Sequence, residues 1–284
     1  MEVDCEGCAG CCLDWRSIAP EDVSLDHERR GSLAPLDDAY NLVPLSSDEV
    51  RAFLRAGFGD AMTPRLFADA DGVTIDGHAV AAVADRPAFV IGLRASPKPV
   101  APFGLDATWL RACVFLDPTT LQCRIHGSDR YPDTCETYPA NNLALDVEAE
   151  CERVERAFGG ERLLDDDPAG ATPLLGVGAL GATVFAHPAP DRLSGVVSRI
   201  ATGAPTPSDR AEFVAVAAAS RPGSADVDSQ RYEAALETAL EADSWVGRSV
   251  TAWSQCFERG DEAEPALAEH IEVAAGAPET SGWE

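Results

Sequence analysis

A chain of 284 residues with 45% apolar content can fill a sizeable core, so no covalent scaffold is needed to hold it together. Twenty-two basic residues against 48 acidic ones leave a formal charge of −26, spread from Glu2 to Glu284 and not gathered into a tail. That excess disfavours nucleic acid and anionic membrane surfaces as partners.

Among the 22 bases Lys98 is the single lysine; the others are arginine. An acidic, lysine-poor, alanine-rich chain is haloarchaeal-like in composition, resembling proteins that work in concentrated salt, where the screening length falls to roughly 3 Å. A GC-rich genome favouring Ala, Arg, Asp and Gly produces the same bias. No stretch approaches the roughly 20 apolar residues of a membrane span. The start, Met1 to Cys5, lacks a basic region followed by an apolar one, so the expected location is the cytoplasm. Disulfides do not persist in a reducing compartment, and nine cysteines call for another explanation.

In chain order, Cys5-Glu-Gly-Cys8-Ala-Gly-Cys11-Cys12 comes first. Ser46-Ser-Asp-Glu49 spells a capping box and opens a helix through Val50, Phe53 and Leu54 to Gly57. Asp71-Gly72 and Asp76-Gly77 flank Val73 to Ile75, and Ala79 to Val83 and Phe89 to Leu93 are short apolar runs, which predicts a small antiparallel sheet. Cys113 to Leu116 and Gln122 to Ile125, separated by Asp117 to Leu121, read as a further hairpin.

A turn-rich acidic stretch between Gly159 and Thr172 suits a linker. It divides a cysteine-cluster domain at 1–158 from a mainly helical extension at 172–275, with a flexible tail at 276–284. Gly176 to Gly181 spells GxGxxG, but neither a strand before it nor an acidic residue about 20 positions on is evident. It reads as a loop or packing segment. Asp165 to Asp167 reads as solvated carboxylates. Tyr232, Leu236, Ala239 and Leu240, then Val246, Val250, Trp253 and Phe257, recur at helical spacing and predict two amphipathic helices that pack there. The fold class expected is α+β, with a small antiparallel sheet and helices around a cysteine-ligated metal site, followed by the helical extension.

Thiolates two residues apart turn back onto one ion because the intervening loop is short. CxxC is thus the usual half-site for zinc, and CxxCxxC supplies three ligands to iron–sulfur clusters. Gly7 and Gly10 sit where such a knuckle needs unusual backbone angles or close approach. Cys113, Cys123, Cys135 and Cys151 form a second group, so the eight candidate metal ligands are Cys5, Cys8, Cys11, Cys12, Cys113, Cys123, Cys135 and Cys151. They suffice for two zinc sites, a cluster plus a zinc, or one site with spare thiols. Adjacent Cys11 and Cys12 are not expected to share one ion without strain. Cys256, beside Trp253, reads as a core thiol, and His126 as a structural histidine at a spacing also compatible with a metal.

These motifs resemble the YkgJ-type cysteine-cluster family, described as zinc- or iron-chelating and also as containing an iron–sulfur cluster. The shared pieces are Cys5 to Cys12, Cys113-Val-Phe-Leu116, Cys123-Arg-Ile-His126, Pro132-Asp-Thr-Cys135-Glu-Thr-Tyr138-Pro139 and Cys151. Glu136 stands where that pattern commonly has Arg, and Cys151 is followed by Glu-Arg-Val instead of Pro-Gly. The resemblance covers residues 1 to about 155 and implies metal binding without a settled reaction.

Three functions follow as expectations. The first is a metal-binding protein holding Zn²⁺ or an iron–sulfur cluster, without chemistry of its own. The second is an iron–sulfur-dependent enzyme acting on another protein, implied by a similar cluster in flagellin lysine methylases. The third is a thiol redox protein using Cys11 or Cys12. The expected partner is a metal ion or cluster; a protein partner is left open, and no catalytic residue is assigned.

Overall fold

The structure is a computed structural model in which residues 3–25, 33–144, 147–164 and 178–280 are described. In chain order its elements begin with β1 (Leu13–Asp14), β2 (Ala34–Pro35), β3 (Pro44–Leu45), α1 (Ser47–Arg55), β4 (Met62–Ile75), β5 (His78–Val80), β6 (Ala82–Val83) and β7 (Arg86–Leu93). They continue with β8 (Ala95–Val100), β9 (Thr108–Cys113), α2 (Asp133–Thr137), α3 (Ala140–Ala144), α4 (Glu150–Phe158) and β10 (Phe185–Ala186). The C-terminal region is helical: α5 (Val196–Ala201), α6 (Pro207–Ala219), α7 (Ser229–Leu240), α8 (Trp245–Arg259) and α9 (Pro265–Ala275). The class is α+β, and the strands of both sheets pair antiparallel.

Two compact units share the chain, and each is discontinuous: Met1–Glu28, Ala95–Pro173 and Trp245–Glu284 form the first, Arg29–Arg94 and Leu174–Ser244 the second. A linear division at the 159–172 stretch therefore differs from what is observed. The reason lies in pairing: β10 adds to β7 within the second unit, across some 90 intervening residues, whereas α8 and α9 pack on β8 within the first.

The second unit is built on β7, buried from Pro87 to Leu93 and flanked by β4, β3, β6 and β10. Phe89 meets Phe213 of α6 edge-on at 4.8 Å, and α6 is buried continuously from Phe213 to Ala219. The Ser46 capping box forms as the sequence predicts: its hydroxyl accepts from Glu49 N–H, and the Glu49 carboxylate accepts from Ser46 N–H at 2.6 Å. Asp76 and Gly77 both take positive φ at the β4–β5 turn, as a two-residue hairpin loop requires.

Asp71-Gly72 is not a second turn. It lies inside β4, where Val80 pairs with both Ala68 and Val73. A Cβ at Gly72 would fall 1.9 Å from the Val80 carbonyl oxygen, so glycine is there to admit the bulge. The two predicted amphipathic helices exist as α7 and α8 but belong to different units: α7 packs on α6, α8 on α9 and β8. On α7 the buried residue is Ala235, and Leu240 is exposed. Of the GxGxxG run, Gly176 and Val177 lie outside the described residues. Its remainder turns into β10 and opens no helix.

The first unit holds the sheet β1-β9-β8 and all nine cysteines. Its tail is not free through Thr280: the Pro278 carbonyl accepts from Arg124 at 2.8 Å, and Thr280 Oγ1 donates to Asp117. Residues 281–284 lie outside the described residues, as does Asp165 to Asp167.

At the N-terminus of α6, Asp209 accepts from Thr206 N–H at 2.8 Å and pairs bidentately with Arg199 at 2.7 Å. The Arg199 hydrogen bonds, with help from Thr206, hold its carboxyl down at about 2. A depressed carboxylate stabilises the fold above its unfolded value and loses that contribution as pH falls. Asp209→Asn is expected to cost about 1 kcal/mol at neutral pH, the size of a lost helix cap beside a solvent-screened ion pair. The gap to wild type, read by urea unfolding, should close as pH is lowered from about 4 towards 2.

Candidate functional site

Residues 5–12 fold as consecutive turns, with Cys8 N–H donating to the Cys5 carbonyl at 3.2 Å and Cys12 N–H to the Ala9 carbonyl at 2.9 Å. Gly7 and Ala9 both have positive φ, the backbone angles that these successive turns take. Gly10 is pressed onto α4: a Cβ there would meet Val154 Cγ2 at 2.6 Å. That approach lays the knuckle on the helix whose first turn carries Cys151. The Trp15 indole, packed edge-on against Phe103 and Phe158, donates to Glu150 at 3.0 Å, and Glu150 N–H donates to the Tyr138 hydroxyl at 2.6 Å.

The strand that follows the knuckle sets the second group. β1 pairs with β9 in the register Leu13↔Ala112, so Cys12 and Cys113 stand at adjoining ends of paired strands. Beyond Cys113 the chain turns back through Asp117, whose carboxylate accepts from Thr119 and Thr120 N–H, and Leu116 bridges to Cys123. The predicted hairpin is thus present in short form. Cys135 lies in α2, near Tyr131, which meets His126 edge-on at 4.9 Å.

Six cysteines, Cys5, Cys8, Cys12, Cys113, Cys123 and Cys151, lie near enough to Cys11 to feel its charge, and Cys135 is linked to them through Tyr131. Burial, then the charges of Cys11 and Cys8, pushes Cys5 up to about 12. Burial and Cys113 do the same to Cys123. Cys151 is raised by burial and then by Cys11, Cys8 and Cys5, and Cys113 by burial. Tyr131 is raised by burial and then by Cys135, Cys123, Cys11 and Cys12. Cys11 is lowered, by the hydrogen bond with Cys12, whose own thiol is raised in return. Their sulfurs are 3.9 Å apart. Among the described residues, however, no three His, Cys, Asp or Glu side chains converge closely enough to hold a metal ion as they stand. Cys256 is buried and outside this gathering, accepting from Arg259.

Sequence reasoning missed what lies beneath the hairpin. Lys98 is fully buried on β8, its ammonium donating to the carbonyls of Leu116 at 2.5 Å, Val114 at 3.3 Å and Cys113 at 3.4 Å. It pairs with Glu272 of α9 at 2.9 Å and sits 4.2 Å over the Trp253 ring. Arg124 meets the other Glu272 oxygen at 2.6 Å and Asp117 at 3.0 Å. The one signal in the sequence was that lysine survives only at this position.

The family model described as "Family of unknown function (DUF7531)" matches residues 1–284. The chain belongs to that family. No curated protein matches it, and no solved structure does. The resemblance to the YkgJ-type family is thereby corrected: DUF7531 accounts for the whole chain, and the thiols do not converge as a metal-binding group. Short cysteine spacings are reached by unrelated chains because they follow from loop geometry, so they carried less family information than their number implied. Among the described residues no helix of this DUF7531 member is long and apolar enough to cross a membrane.

Lys98 feeds a cluster of oxygens that a compact ammonium satisfies and a planar guanidinium does not. Lys98→Arg is therefore expected to destabilise the protein by about 3 kcal/mol, in the range for disrupting a buried pair, when measured by denaturant unfolding. An unchanged midpoint would show that a guanidinium satisfies the same oxygens.

Proposed function

We propose that this DUF7531 protein binds a soft metal through its cysteines, as Zn²⁺ or as an iron–sulfur cluster, in a structural or metal-presenting role. The observation that carries the reading is that Cys5, Cys8, Cys12, Cys113, Cys123 and Cys151, from three separated stretches of the chain, lie near enough to Cys11 to feel its charge, with Cys135 linked to them through Tyr131. The donor set fits by its chemistry, since thiolates suit zinc and iron–sulfur centres alike. The 3.9 Å between the Cys11 and Cys12 sulfurs is near the edge of a tetrahedron of 2.3 Å zinc–sulfur bonds, about 3.8 Å. The remaining thiols must draw in and release their protons on binding. In this reading the protein works in a reducing compartment such as the cytoplasm, where thiols persist.

Oxygen-free purification followed by elemental analysis and an absorption spectrum tests it. Bound zinc without visible colour, or iron with matching sulfide and visible absorption, is the expected result. Cys11→Ser should remove most of the metal, and Cys256→Ser none. Metal-free protein would sink the reading.

A second reading rests on the lowered Cys11 thiol beside Cys12, a pairing suited to thiol–disulfide exchange. Rapid alkylation of Cys11 in untreated protein favours it; protection until a chelator is added favours metal.

A further inference from the structure

The outer face of the β1-β9-β8 sheet carries a charge that the fold leaves unused. Along β9, Leu110 and Ala112 are buried, so Trp109 and Arg111 stand together on the opposite face. Asp14 of β1 is the cross-strand partner of Arg111, a register that brings opposite charges into reach of each other. Their ion pair does not form. Arg16 takes the Asp14 carboxylate bidentately instead, through Nε at 2.8 Å and Nη2 at 2.7 Å. Among the described residues no hydrogen bond or ion pair holds the Arg111 guanidinium.

Asp14, Arg16 and Arg111 line an open pocket of about 450 Å³, completed by Ser17, Trp109 and Leu110. That volume falls within the roughly 300–1,000 Å³ of small-ligand sites. Trp109 is fixed in place, its indole N–H donating to the Asp261 carbonyl at 2.9 Å and its ring meeting Phe257 of α8 edge-on at 5.6 Å. With its single donor already used, the ring has only apolar surface left to offer. None of the eight candidate cysteines lines the pocket.

The charges select the ligand. Two guanidiniums and one carboxylate leave the pocket with one positive charge, a local exception in a chain of formal charge −26. A single negative charge balances it, whereas a dianion adds an uncompensated charge to an acidic surface. The planar fork of an arginine matches a carboxylate at two points. Trp109, two residues away on the same face, suits a flat apolar body. We propose that this pocket binds a small aromatic monocarboxylate, with the carboxylate on Arg111 and the ring against Trp109.

Full-length protein titrated with 2-naphthoate by isothermal calorimetry tests it, alongside three comparison probes: 2-naphthylmethanol, cyclohexanecarboxylate and inorganic phosphate. Wild type is expected to bind 2-naphthoate more tightly than any of the three. Arg111→Gln should weaken that binding about tenfold or more, the size of a lost hydrogen bond to a charged group. Arg111→Lys should fall between the two, since an ammonium keeps the charge and loses the fork. Because Arg111 is exposed and unpartnered, both variants are expected to melt as wild type does. Arg55→Gln, at an exposed arginine of α1, should leave binding unchanged. The proposal fails if 2-naphthoate does not bind at millimolar concentration, or if Arg111→Gln binds it as wild type does. An equal loss in Arg55→Gln also overturns it, by showing attraction to net charge and not to a site. Phosphate or cyclohexanecarboxylate binding as tightly as 2-naphthoate overturns the ligand class, and so does equal binding of the neutral alcohol.

Discussion

The buried chain of charges Lys98, Glu272, Arg124 and Asp117 is the constraint on which the first unit depends. It joins β8, the 113–124 hairpin and α9, three pieces separated by up to 174 residues, and reaches Thr280 beyond the last helix. Ion pairs with no access to water add little net stability over apolar side chains of the same shape, but each partner is costly to leave alone. The network therefore acts as a specification: the hairpin docks in one register, because any other leaves a charge uncompensated in the core.

The cysteines inherit their placement from that docking. Cys113 and Cys123 lie on the hairpin that Lys98 and Arg124 hold from beneath. Cys12 is delivered beside Cys113 by the β1–β9 register, and the knuckle behind it is seated on α4 by Gly10. Trp15, Phe103 and Phe158 cover the side where Glu150 is hydrogen-bonded. Burial and mutual repulsion push most of these thiols up, so the gathered set favours neutral sulfur until something takes up the charge.

The second unit follows ordinary rules of burial. β7 is covered on both faces, and the alanine-rich stretch of α6 lies buried with it. Small side chains on α6 let that helix approach closely, and Phe213 fills the space above Phe89. Its polar residues serve the same end: His187 is fully buried with its Nε2 against Glu212, which also accepts from Tyr232 and Arg192.

Sequence by itself determined the local features whose physics is local. The Ser46 capping box, the Asp76-Gly77 turn, the 113–123 hairpin and the helices from Tyr232 to Phe257 were legible because caps, turns and periodicity act within a few residues. The knuckle angles at Gly7 and the packing demand at Gly10 were legible for the same reason. Asp71-Gly72 misled because a bulge and a turn ask for the same residues, and only the opposite strand distinguishes them. Tertiary structure alone decided that each unit draws on separated stretches of the chain, that α7 and α8 belong to different units, that the tail through Thr280 is tethered, and that a lone lysine lies under the 113–116 turn. These depend on pairings between segments far apart in the chain, and no pattern in one sequence carries the energy of a contact whose partner lies more than a hundred residues away.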